Sequence, residues 1–175
     1  MTCSKAILAA LLLAGNAMAQ TPAAHATAQK SDPFVTQAET AYVAHLAAEK
    51  VGDVAQYKQT RAKGAVDEMV ANLRGKDLAA ALKRSATYST PLDGYRFLKA
   101  DGAGSVGRLF YRKDWKSGDM EMVDFLGYVS RWEEGRWKID CVINATGTKL
   151  GMGAHGKLEE RTVEEVATHR CLALK

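Results

Sequence analysis

Few residues of this chain are placed to carry acid–base chemistry, and one carboxyl stands apart from the rest. In the stretch MEMVDFLGYVSRW, strand alternation puts Met120, Met122, Asp124, Leu126, Tyr128, Ser130 and Trp132 on one side. That side is largely apolar, which marks it as the concave, core-facing one. A carboxyl held among apolar neighbours has its pKa raised and can act as a general acid or base. Asp124 is therefore the candidate catalytic carboxyl, with Tyr128 two places along as a hydrogen-bond donor to a ligand oxygen. A plainer reading of the same residues has Asp124 paired with an arginine or capping a loop at a pocket mouth. Tyr42, from a helix upstream, would line a pocket on this face together with Met122, Leu126 and Trp132.

Two other patterns invite chemistry. His45 and Glu49 form H-x-x-x-E, which on one helix face can hold a metal if a third ligand arrives. The sequence displays no such third ligand, so no metal or other cofactor is expected. Residues 102–107 read GAGSVG, the letters of a dinucleotide-binding loop. That loop must leave a strand and open a helix, so that the helix N-terminus meets the pyrophosphate. Here the glycines leave one strand and enter another, RLFYR. The expectation is a hairpin turn in which glycine supplies a positive φ. No nucleophile elbow or papain-like setting is present, and the three tryptophans read as packing.

The elements that must position these residues divide into two halves. Asp32 and Pro33 start a helix, with Val35, Ala38, Tyr42 and Leu46 at helical spacing, and Gly52 ends it. Asp53 and Gln56 cap a second helix whose stripe is Val66, Met69, Val70 and Leu73, with Gly64 as the place for a break. Gly75 stops it, and Asp77 caps a short third helix through Leu82. After the loop SATYSTPLDG the chain turns to strands, separated by DGAG, KSGD and EEG. Short turns between consecutive strands make an antiparallel meander. The third strand is long, and a bulge or strong twist is expected near Gly127. With Glu134-Gly135 as a two-residue turn, Trp132 faces Trp137, and Ile139, Cys141 and Ile143 join the same face. The opposite face holds Val123, Phe125, Val129 and Val142, which calls for a cover. A second copy of the chain and a C-terminal helix explain it equally well.

The ends carry their own signals. Lys5, an apolar run over residues 6–14 and Ala17-Met18-Ala19 form the order of a secretory signal peptide, cleaved after residue 19. Residues 20–31 read as a flexible lead-in, residues 32–146 as one α+β domain, and residues 147–175 as a glycine-rich loop and charged helix packed on it. No span is long enough to cross a membrane. Export leaves Cys141 and Cys171, an expected bridge whose loop of about 30 residues would stabilise by roughly 3–4 kcal/mol; two separate buried thiols are the alternative. The mature chain carries 23 basic and 20 acidic residues, spread out rather than clustered, which speaks against nucleic-acid binding.

Helices over residues 33–84 followed by a meander ending in the hairpin Arg131-Trp132-Glu133-Glu134-Gly135-Arg136-Trp137-Lys138-Ile139 resemble the nuclear transport factor 2-like superfamily. The resemblance spans residues 33–146 and implies a cone-shaped α+β roll, a curved antiparallel sheet wrapped around helices with a pocket inside. The superfamily holds enzymes and non-enzymes alike, and no segment here matches the isomerase catalytic pattern. The functional expectation is an exported, periplasmic or secreted, non-catalytic binding or accessory protein. Its apolar pocket or sheet face would take a small apolar molecule or a protein partner, including a second copy through the sheet. The competing expectations are a small isomerase or dehydratase using Asp124, and an inhibitory or structural protein acting through its surface and disulfide-tied tail.

Overall fold

The computed structural model describes residues 30–148. Four helices come first: α1 (Pro33–Val51), α2 (Val54–Thr60), α3 (Lys63–Leu73) and α4 (Leu78–Ser85). Four strands follow: β1 (Arg96–Ala103), β2 (Val106–Ser117), β3 (Met120–Glu133) and β4 (Arg136–Thr148). They form one antiparallel sheet in the order β1-β2-β3-β4. The chain is therefore α+β, as expected. No helix among the described residues is long and apolar enough to cross a membrane. The leader, nearly all of the lead-in and the C-terminal helix lie outside the described residues. Lys30, the end of the lead-in, is tied down: it pairs with Glu39 and sits over the rings of Phe97 and Tyr111.

The helix starts follow local chemistry. Asp32 accepts from the Phe34 amide, Asp53 from Gln56 and Asp77 from Ala79, each at 2.8–2.9 Å. Each bond satisfies an amide the helix itself leaves open. Gly52 closes α1 in the left-handed region. The second expected helix is two helices, and the break falls at Arg61 and Ala62 rather than at Gly64, which lies inside α3. The cause is tertiary. Arg61 is extended and forms a parallel bridge with Ile139, and the Ala62 amide donates to the Ile139 carbonyl at 2.8 Å. The stripe on α3 is only partly used: Val66 is buried, whereas Val70 is exposed.

GAGSVG is a hairpin turn. Gly104 takes φ 56° and, with Ser105, links Ala103 to Val106. Gly107 is small for a different reason: a Cβ there would lie 2.1 Å from the Phe34 ring. The glycines thus serve a turn and a close helix–sheet contact.

The inner face of the sheet and α1 enclose the main core, with Tyr42, Tyr111, Tyr128, Leu109, Leu126, Trp137 and Ile139 buried. Burying side chains of this size contributes about 1.5–3 kcal/mol each. Trp132 faces Trp137 across the last hairpin, as the Glu134-Gly135 turn requires. The irregularity expected near Gly127 falls two residues on: pairing shifts between Val129 and Ser130 in β3, opposite an extra residue, Asp140, in β4. That residue reverses the alternation beyond it. Val142 packs on the inner core, while Cys141 and Ile143 pack on the outer cluster with Val123, Phe125 and Val129. This corrects the sequence expectation for all three β4 residues. Cys141 is disulfide-bonded; Cys171, the expected partner, lies outside the described residues.

Candidate functional site

Helical spacing aligns Tyr42, His45, Leu46 and Glu49 along one stripe of α1. The stripe faces a cavity of about 800 Å³, lined also by residues of α2, α3, the 85–90 turn and the end strand β4. Its volume falls in the range of small-molecule sites. The walls differ in character. Leu46, Met69, Leu73 and Val142 are apolar, whereas His45, Glu49, Arg61, Arg131 and Asp140 are polar. Tyr88 stands at the lining with 86% of its surface exposed.

The Glu49 carboxyl is buried and held by two hydroxyls, Ser85 donating at 3.3 Å and Ser89 at 2.5 Å. His45 Nε2 stands 3.5 Å from Glu49 Oε1, and the His45 ring centroid is 5.1 Å from that of Tyr57. Burial first, and the Arg61 charge second, push the imidazole down to about 3. His45 is thus neutral at physiological pH. Its Nδ1 is buried and lacks a hydrogen-bond partner.

Arg61 is the residue that sequence reasoning missed. Its extended backbone, locked by Ile139, places it on the lining between His45 and Tyr57 in electrostatic reach of both. Its Nε is buried without a hydrogen-bond partner, and no carboxylate among the described residues lies within ion-pairing distance. By contrast, Arg131 is paired with Asp140 at 2.5 Å. A buried guanidinium donor without an acceptor is costly, and its planar fork suits a carboxylate or phosphate. No local signal could have found Arg61, because the apolar period runs through it as if the helix continued.

The residues proposed from sequence are scattered by the fold. Tyr42 does line the cavity, but its hydroxyl donates to the Thr90 carbonyl at 2.7 Å and its ring stacks on Tyr128 at 4.6 Å. The Tyr128 hydroxyl is fully buried against that of Tyr111 at 3.2 Å. The Tyr111 hydroxyl also donates to Glu39 at 2.8 Å. Desolvation raises the pKa of all three tyrosines. Leu126 is core, and Trp132 is half-buried against Trp137. Met122 borders a separate hollow of about 170 Å³ beside Trp115. Asp124 is half-buried between Lys113 and Thr146 in register, and its Oδ1 is buried without a partner. Burial, and then the Asp124 carboxyl, push the nearby Tyr95 hydroxyl up to about 12. Asp124 does not border the 800 Å³ cavity among its described lining.

His45 and Glu49 are brought together, but among the described residues no group of three His, Cys, Asp or Glu is arranged to hold a metal. Comparison with protein families, with curated proteins and with solved structures found no match.

Proposed function

We propose that this chain is an exported, non-catalytic binding or accessory protein whose cavity takes a small amphipathic molecule with an anionic head. The observation that carries this reading is Arg61, a cation on the cavity wall with a buried, partnerless Nε. A carboxylate or phosphate in the cavity would pair with the guanidinium charge. His45, neutral beside it on the lining, repels neither sign of charge. Leu46, Met69, Leu73 and Val142 offer apolar surface for the body of the ligand. The small apolar ligand expected from sequence is thereby refined to one with a charged end. Export rests on the leader-like residues 1–19, and kinship with nuclear transport factor 2-like proteins on the order of helices before meander.

The test is titration of the mature protein with alkyl carboxylates and with alkylamines of the same chain length. Binding of the carboxylates alone, lost in Arg61→Met, supports the reading. Equal binding of both series, or unchanged carboxylate binding in Arg61→Met, rejects it.

The isomerase or dehydratase alternative keeps one supporting observation, the buried and partnerless Oδ1 of Asp124. Its proposed helper Tyr128 is engaged with Tyr111. Turnover abolished by Asp124→Asn would favour this alternative over binding alone.

A further inference from the structure

The outer face of the sheet presents a second problem, independent of the cavity. Val106, Phe110, Val123, Phe125 and Val129 are buried there, with exposures of 0–7%, and Leu98, Cys141, Ile143 and Ala145 pack around them. Every one of these residues comes from a strand. The described helices supply the main core on the inner face and a small helical cluster, and none of their residues belongs to the outer cluster. An apolar face this large needs a cover.

Three observations identify the occupant. First, Cys141 lies on this face and is disulfide-bonded, and Cys3 and Cys171 are the only other cysteines of the chain. Cys3 precedes the expected cleavage after residue 19, so Cys171 is the partner that a mature chain retains. Second, β4 ends at Thr148, and the sequence continues for 27 residues, ample to return along the sheet. Within them Val163, Val166, Ala167, Cys171 and Leu174 fall at the spacing of one helix face, with Glu164 on its border. Third, the face is rimmed by cations. Lys99 and Arg108 lie over the Phe110 ring and share Asp101, and Arg112 lies over Phe125 and pairs with Asp114, the cation–ring distances being 5.3–5.8 Å. An apolar stripe bordered by Glu164 complements an apolar face edged with lysine and arginine.

We infer that residues 149–175 dock on the outer face of the sheet, stripe inward, and are fastened there by a Cys141–Cys171 disulfide. The bridge places the stripe residue Cys171 directly over the apolar cluster. Glu164 then lies beside the basic rim, and the face is covered within one chain.

Two measurements on the oxidised mature chain test this. Peptide mapping without reductant should recover the two cysteines in one cross-linked peptide from monomeric protein. Carbene footprinting should label Phe110, Phe125, Val163 and Val166 weakly, and Val163→Asp/Val166→Asp should raise labelling of Phe110 and Phe125 several-fold. If that variant does not fold, the wild-type footprint still decides. Labelling of Val163 and Val166 as strong as in denatured protein overturns the inference. So does a Cys141 bridge to any residue other than Cys171, or a native mass showing that the outer face is covered by a second copy.

Discussion

Two polar regions lie along the same helix and are built in opposite ways. Around Glu39 and Tyr42, each tyrosine hydroxyl is engaged: Tyr111 with Glu39 and Tyr128, and Tyr42 with the Thr90 carbonyl. One or two turns on, around His45 and Glu49, the cavity contains buried nitrogens with no acceptor or donor opposite them, His45 Nδ1 and Arg61 Nε. The first region is a satisfied network that rigidifies the core. The second leaves buried polar atoms unsatisfied in residues that line a cavity. Residue type alone would have ranked them the other way, since the tyrosines and Asp124 look more chemical than a lone arginine.

Substitutions can break this contrast. The largest effect is expected at the satisfied end. Tyr128→Ala removes a fully buried ring from a stack and should lower unfolding free energy by about 3–5 kcal/mol, measured by urea denaturation. If the chain still folds, carboxylate binding at the cavity should persist. At the open end, Arg61→Met should reverse the pattern. Stability should hold or rise as a buried unpaired donor disappears, while ligand affinity falls by the roughly 1.5–3 kcal/mol of a charged hydrogen bond. Calorimetric titration beside a melting curve separates the two.

The third effect depends on pH. Folding depresses the pKa of His45 to about 3, against an ordinary histidine value of 6.5. The unfolded chain therefore takes up a proton below about pH 6.5 that the folded chain refuses. The stability tied to His45 is fully present above that pH and is lost as pH falls toward 3, at up to about 1.4 kcal/mol per pH unit. Between about pH 6.5 and 5, before most carboxyls titrate, His45→Gln should flatten the dependence. An equally steep loss in the variant would show that His45 is not its source. Tyr111→Phe should cost about 1–3 kcal/mol in the same denaturation experiment: Glu39 keeps Lys30 as a partner, but the buried Tyr128 hydroxyl loses its own.

Much of the scaffold was legible because its causes are local. The caps at Asp32, Asp53 and Asp77 rest on side chains reaching amides two or three residues away. The turn at Gly104 needs a positive φ, and the Glu134-Gly135 turn sets the register that opposes Trp132 and Trp137. The candidate site was far less legible. Tyr42 lines the cavity, whereas Met122, Leu126, Tyr128 and Asp124 share a strand face without lining it. A strand of 14 residues runs past several different neighbourhoods. Cys141 and Val142 were assigned to the wrong faces because a single inserted residue, Asp140, inverts a period of two, and nothing in the local sequence announces it.

The sequence by itself determined where α1, α2 and α4 begin, where strands turn, and that the chain is helices followed by an antiparallel meander. These follow from capping, glycine φ and periodicity, which act over a few residues. Only the tertiary structure decided that the helix breaks at Arg61, because the competing hydrogen bond comes from Ile139, far along the chain. It likewise decided which polar groups are satisfied and which stand open. Hydrogen-bond satisfaction depends on what the fold brings opposite each atom, and residue type does not record that.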